Sequence, residues 1–316
     1  MDALSRLLSL FLVRTTLDVR CELAAPWVLS EPSAPVGVAP FHIVLAGSAS
    51  VEIPGQEAML LQAGDMLVFP GGSAHSLLAG GSDALEVPSP VVNVTGAGPL
   101  PLKQNDGPGA ASEILCGHFS FDGSGQTTLL PALPAVLVVR AHSEANVPGL
   151  RALVALLRHE TGEDRPGASA VIAQLSGALF TLLLRAWLSQ SATTPGLFAV
   201  LADRRLGPAL KRMLDSPERP WQVQELAAHC HMSRATFARL FARLCDLPPA
   251  ELLTRLRMAR AGVALAQGEQ TVGDVAYAVG YESESAFNRA FTRYHGVGPG
   301  SYRRAASARQ AEGTAP

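Results

Sequence analysis

The side chains with chemistry to offer fall in two groups: arginines repeated near the carboxyl end, and cysteines and histidines spread through the first half. Arg239 lies between Phe237 and Phe241, and Arg289 between Phe287 and Phe291. Phe at i and i+4 buries one face of a helix and leaves the intervening Arg on another. On a helix that enters the major groove, such an Arg bonds guanine edges or phosphate. The four cysteines, Cys21, Cys116, Cys230 and Cys245, lack CxxC spacing, and 316 residues build a core without disulfides, so they read as reduced thiols. On residue pattern alone Cys21 and Cys116 are small buried hydrophobes, Cys230 aligns with core Val279, and Cys245 after the recognition helix has no evident role. His42 and His75 read either as core histidines satisfied by hydrogen bonds or as the lining of an effector pocket or metal site, which Cys21 would complete. A catalytic metal centre needs about three protein ligands and an open position, and the sequence supplies no clear set.

The arginines must be held by helices, and those helices occur twice. Glu225 to Cys230, a turn at His231-Met232-Ser233 and Arg234 to Phe241 are answered by Asp274 to Val279, Gly280 to Ser283 and Glu284 to Phe291. The offset is 49 residues at Leu226/Val275, Ala227/Ala276 and Cys230/Val279, but 50 at Ser233/Ser283, Phe237/Phe287, Arg239/Arg289 and Phe241/Phe291. One residue is therefore inserted in the second turn. Ala227 and Ala276 let two helices cross closely, and Ser233 and Ser283 cap the helix that follows, as in a helix-turn-helix. A single copy would also fit a helical hairpin with solvated arginines. Two matched copies favour a pair of DNA-reading units.

This end resembles the DNA-binding domain of AraC/XylS-type transcription regulators. The resemblance rests on Gly280-Tyr281-Glu282-Ser283, Phe287, Arg289, Phe291, Gly296 and Pro299 to Arg303, and covers about the last hundred residues. It implies two helix-turn-helix units joined by a long helix, here Pro249 to about Gln267. At about 1.5 Å per residue that helix is roughly 28 Å long, which suits recognition helices one DNA turn apart. By position, Ser233, Arg234, Ala235, Ala238 and Arg239 of the first unit, and Glu284, Ser285, Asn288 and Arg289 of the second, would face double-stranded DNA. Ala235 and Ala238 are short, so the first helix would depend on Arg239 and on DNA shape.

The overall charge of −2 conceals an asymmetry. Residues 1–200 carry 9 Lys/Arg against 16 Asp/Glu, and residues 201–304 carry 15 against 10, so nucleic-acid contact is expected only at the basic end. Leu4, Leu7, Leu8 and Phe11 read as one face of an amphipathic helix rather than a signal peptide, because Asp2 and Arg6 interrupt the apolar run. The uncharged run Pro166 to Leu184 approaches membrane-spanning length, but Ser169, Gln174 and Ser176 interrupt it and no positive loop flanks it. A cytoplasmic protein without a membrane segment is expected.

The front half reads as short strands with Gly-bearing turns: 16–29, 41–45, 49–53, 58–61, 66–69 and 113–121, with Leu129 to Val139 closing a barrel. Gly64 to His75 resembles the second cupin motif, ending in Pro70-Gly71-Gly72-Ser73-Ala74-His75, which implies a cupin-like β-barrel with His75 at its mouth. The first cupin motif is not matched, and only His42 lies on the neighbouring strand. Val87 to Pro108 is Pro/Gly-rich and reads as a loop. From Pro148 the period turns helical, giving two apolar-striped helices that pack on the barrel within the chain or also across a homodimer.

The expected architecture is multidomain α and β. A cupin-like sensor domain spans residues 1–190, with helical flanks at 148–190, and a linker spans 191–202. An all-α domain with two helix-turn-helix units spans 203–304, followed by a disordered tail, 305–316. The whole chain also resembles the reactive-chlorine-responsive branch of these regulators, through Met1 to Leu8, Cys21, the His42 strand, Ser73-Ala74-His75, Cys116-Gly117, Leu133-Pro134 and His231 to Ala235. That resemblance implies a transcription activator, not an enzyme, with Cys21 and Cys116 as the reactive thiols and RNA polymerase as a partner. A thiol attacked by hypochlorous acid reaches a disulfide when a second sulfur is within reach. The other readings are a regulator answering a small molecule or metal near His42 and His75, and a cupin enzyme with a DNA-binding appendage.

Overall fold

The computed structural model describes residues 2–80, 88–94, 98–141, 148–191, 194 and 196–312. Parts of the loop expected at 87–108 and of the linker expected at 191–202, with the end of the tail, lie outside the described residues. The chain divides into two compact units. One comprises Val13–Ser120 and Pro134–Ala192, the other Met1–Leu12, Phe121–Leu133 and Thr193–Pro316.

Alternating apolar residues build the first unit as strands β1 (Val13–Ala24), β2 (Trp27–Glu31), β3 (Val38–Ala46), β4 (Ser48–Glu52), β5 (Met59–Gln62), β6 (Met66–Val68), β7 (His75–Ala79), β8 (Val92–Val94), β9 (Leu102–Gln104), β10 (Ala111–Phe121) and β11 (Leu137–Val139). Among the described residues they form a seven-stranded sheet, β11-β6-β3-β10-β1-β9-β8, and a four-stranded sheet, β2-β7-β4-β5. One core cluster draws on both, with Cys21, Val44, Leu67, Ile114 and Cys116 from the larger sheet and Leu29, Val51, Leu61 and Leu77 from the smaller. Period-2 alternation therefore turns Cys21, His42 and Cys116 toward the interior between the sheets.

On the other face of the larger sheet lie α2 (Pro148–Gly162) and α3 (Ala168–Gln190), which pack on each other. Phe119 stacks on Phe41 and meets Phe180 of α3 edge-on, with ring centroids 4.6 and 5.1 Å apart. Gly117 on the same strand has no room for a side chain, since a Cβ there would lie 2.3 Å from the Thr16 carbonyl oxygen and 2.5 Å from the Phe41 ring. By length and composition α3 is apolar enough to cross a bilayer; its Leu179, Phe180, Leu183 and Leu184 are buried within the unit.

The sheets differ from a barrel in that neither closes on itself. Pro131 and Pro134 cannot donate to a ladder, so Leu129 to Val139, expected to close the barrel, follows a π-helical turn (Gly125–Leu129) with a 3-10 turn (Leu130–Ala132) and only three paired residues at the edge, β11. The Pro/Gly-rich stretch read as a loop contains β8 and β9, and β9 pairs in parallel with Arg20, Cys21 and Glu22.

The second unit is helical: α1 (Ala3–Leu8), α4 (Gly196–Ala202), α5 (Gly207–Asp215), α6 (Val223–His229), α7 (Arg234–Cys245), α8 (Pro249–Gln267), α9 (Val272–Ala278), α10 (Glu284–His295) and α11 (Pro299–Glu312). Leu7 and Phe11 are buried, and Arg6 pairs with Asp215 at 3.0 Å. Residues 121–133 are built into this unit by hydrogen bonds. The Tyr302 hydroxyl donates to Asp122 at 3.1 Å, Arg255 donates to the Thr127 carbonyl at 2.9 Å, and Thr128 bonds Tyr294. The tail expected to be disordered continues α11 to Glu312, in keeping with its run of Ala, Arg and Gln.

Candidate functional site

The two helix-turn-helix units are near copies in their bonds as well as their residues. The Ser233 hydroxyl accepts from the Thr236 amide at 3.2 Å and the Ser283 hydroxyl from the Ala286 amide at 3.3 Å. The Phe237/Phe241 and Phe287/Phe291 centroids are 5.5 and 5.4 Å apart. In each turn one residue takes the left-handed conformation, His231 at φ 53° and Gly280 at φ 85°. The next amide, of Met232 or Tyr281, reaches back to Ala227 or Ala276 at 3.0 Å. The turns thus superimpose up to Met232/Tyr281, and the inserted residue is Glu282.

On α7, Arg234, Ala235 and Arg239 are exposed, as is the cap Ser233, and Ala238 is half-buried. On α10, Glu284, Ser285 and Arg289 are exposed and Asn288 is half-buried, its Oδ1 lacking a hydrogen-bond partner among the described residues. These residues line the outward faces of helices whose inner faces carry the phenylalanines. Cys230 and Cys245 are buried in this unit, and burial pushes the Cys245 thiol up to about 11, where it is unreactive.

In the sandwich, Cys21, Cys116 and His42 stand on three adjacent strands, β1, β10 and β3, with Cys116 and His42 directly paired in register. His75 comes from β7 of the opposite sheet. His42 Nδ1 lies 3.0 Å from Cys116 Sγ, His42 Nε2 lies 2.7 Å from His75 Nε2, and His75 Nδ1 lies 2.8 Å from the Ser73 carbonyl. A carbonyl only accepts, so His75 carries its hydrogen on Nδ1 and presents a lone pair at Nε2. His42 Nε2–H must then donate to it, which leaves His42 Nδ1 as the acceptor of the Cys116 hydrogen. Phe69 stacks on His75 at a centroid distance of 3.7 Å and holds the ring in place.

The Cys116 hydrogen has a second acceptor in reach, the Cys21 sulfur. Directed there, it lowers the Cys21 pKa, with help from Lys103, and together with burial holds Cys116 well above the usual thiol range. Burial, with His75 adjacent, pushes His42 down to about 3, so this ring stays neutral. Burial also lowers His75, against the opposing pull of the Ser73 carbonyl and Glu31. Among the described residues no group of three or more His, Cys, Asp or Glu side chains converges as a metal-binding set. The two nitrogens of His42 face different partners, so one ion could not take His42, His75 and Cys116 together without breaking this chain.

Sequence reasoning named all four of these residues but not their order, in which Cys116 rather than Cys21 meets the histidines. It also missed Lys103 beside Cys21 and Glu31 opposite His75 in register.

A family profile described as Cupin matches residues 2–189, and one described as a helix-turn-helix domain matches residues 226–305. The chain is 31% identical to the RCS-specific HTH-type transcriptional activator RclR of Escherichia coli K12, over 96% of this chain and 97% of that one. The chain belongs to the AraC-type transcription regulators with a cupin domain. The regulator is also 31% identical to the HTH-type transcriptional regulator MtrA of Neisseria gonorrhoeae, over 96% and 98% of the two chains. It shows the same identity to a putative AraC-like transcription regulator of Streptomyces lividans, again over 96% and 98%. With its helix-turn-helix domain and full-length relatives that are transcription regulators, it is a DNA-binding regulator rather than an enzyme.

Proposed function

We propose that this regulator activates transcription when an oxidant links Cys21 to Cys116. The observation that carries the reading is that two free thiols on adjacent strands, Cys21 and Cys116, are buried in one core cluster. The relative named as RCS-specific points to reactive chlorine as the oxidant. In that chemistry two thiols lose two electrons and two protons, and hypochlorous acid is reduced to chloride and water. Replacing either Cys21 or Cys116 by Ser is expected to abolish induction of a reporter by hypochlorous acid while leaving DNA binding intact; unchanged induction would remove the thiols from the mechanism.

The regulator acts in the cytoplasm, reading DNA through Ser233, Arg234, Ala235, Ala238 and Arg239 on the first unit and Glu284, Ser285, Asn288 and Arg289 on the second. Arg289→Ala is expected to cost about 1–3 kcal/mol at one base position, measured by competition binding with single-base variants of the operator; a uniform loss across sequences would mean a phosphate contact instead. Exposed Leu156 on α2 and Val171 on α3 support a homodimer through these helices. Activation would proceed through contact with RNA polymerase.

A second reading is supported by a groove of about 640 Å³ lined by Glu31, Glu52, Gln56 and His75, which has room for a small cationic or hydrogen-bonding effector. A ligand-dependent rise in melting temperature that survives Cys21→Ser would favour it.

A further inference from the structure

We propose that His42 and His75 form a proton relay that deprotonates Cys116 when it closes the disulfide on oxidised Cys21, which makes them positioning residues of the sensing reaction. The inference rests on the oxidant-sensing reading and adds the division of labour between the two thiols.

Cys116 owns one hydrogen and has two places to put it. Cys116, with His42 Nδ1 at 3.0 Å, is the thiol placed to lose its proton in the closing step, which leaves Cys21, held in the same core cluster, as the thiol the oxidant modifies first. Hypochlorous acid then transfers its chlorine to the Cys21 sulfur, and the Cys21 hydrogen leaves with the hydroxyl group as water. Once Cys21 carries chlorine, the Cys116 hydrogen is directed to His42 Nδ1 at 3.0 Å.

In the second step Cys116 Sγ forms the S–S bond, the S–Cl bond breaks, and chloride leaves with the electron pair. The Cys116 hydrogen passes to His42 Nδ1 as His42 gives its Nε2 hydrogen to His75 Nε2, 2.7 Å away. His42 changes tautomer without ever becoming an imidazolium, as its burial requires. The released proton ends on His75. There the Ser73 carbonyl accepts from Nδ1, the Glu31 carboxylate lies opposite in register, and the ring borders the groove through which the proton returns to solvent. Once the Cys116 S–H points to His42, each ring nitrogen in the chain has a partner, and the relay needs no movement of either imidazole. Without it Cys116 would have to attack as a buried neutral thiol or lose its proton into an apolar core.

The test uses the full-length reduced protein, one equivalent of hypochlorous acid, and quenching at graded times with dimedone, followed by intact mass and peptide mapping. If closure is slow, water hydrolyses the sulfenyl chloride to a sulfenic acid, which dimedone tags. The wild-type protein is expected to lose two hydrogens with little tag. His75→Gln keeps an acceptor for His42 but cannot hold a proton, so tagged Cys21 should accumulate and disulfide formation should slow about a hundredfold. The rate at which Cys21 itself is consumed should not change, a split that a loss of packing would not produce. Should His75→Gln fail to fold, His42→Asn, which accepts from Cys116 but cannot pass a proton on, reads the same partition. Closure at the wild-type rate in the folded variant, or an equal slowing of both steps, would overturn the relay. Failure of wild-type Cys21 and Cys116 to link at all would instead remove the sensing reading, and the relay with it.

Discussion

His42 is only 2% exposed, and its pKa of about 3 in the folded chain lies below its ordinary value near 6.5. Between those values the unfolded chain binds a proton that the folded chain does not. Stability contributed by neutral His42 is therefore complete above about pH 6.5 and is lost as pH falls toward 3. The melting temperature is expected to decline through that window, and His42→Asn should flatten the profile; an unchanged slope in the variant would show that other groups govern it. The sequence singled out His75 through the Pro-x-Gly-x-x-His spacing of a cupin motif and His42 as the histidine of the neighbouring strand. It did not reveal that His42 pairs with Cys116, because register between strands some seventy residues apart is a tertiary property. Lys103 was hidden for a similar reason. It lies in a Pro/Gly-rich stretch with no periodicity, and only the parallel pairing of β9 on β1 brings it beside Cys21.

At the level of elements, the helix-turn-helix pair was legible almost residue by residue, since caps, turn glycine and aromatic spacing are local signals. Gly280 shows how little latitude the second turn has. It sits at φ 85°, and a Cβ there would lie 2.2 Å from the carbonyl oxygen of Glu218. Gly280→Ala is expected to lower stability by more than about 1 kcal/mol and to weaken DNA binding through α10, read as a shifted denaturation midpoint and a raised Kd. Its counterpart in the first turn is His231, which reaches a left-handed conformation with an exposed side chain, so His231→Gly should be neutral or slightly stabilising. The strands of the sandwich were also legible, but their closure was not. A short apolar run such as 129–139 reads as strand, and the backbone cost of Pro131 and Pro134 appears only when the ladder has to form.

Across the whole molecule, the acidic first 200 residues and the basic last hundred divide the electrostatic work. DNA affinity should fall steeply with salt, by a slope of about 0.9 per phosphate neutralised on a log–log plot. Charge-removing changes confined to residues 201–304 should reduce that slope, while changes in the first 200 leave it unaltered; equal effects from both regions would contradict a single DNA-facing surface. The helical unit is also stitched from three separate pieces of chain, with residues 1–12 and 121–133 completing it. A fragment cut at Thr194 would take the recognition helices but leave behind Asp122, Thr127 and Thr128, the partners of Tyr302, Arg255 and Tyr294. Dissection at the apparent linker would thus yield a damaged reader rather than an independent one, and truncation experiments would confuse loss of regulation with loss of support.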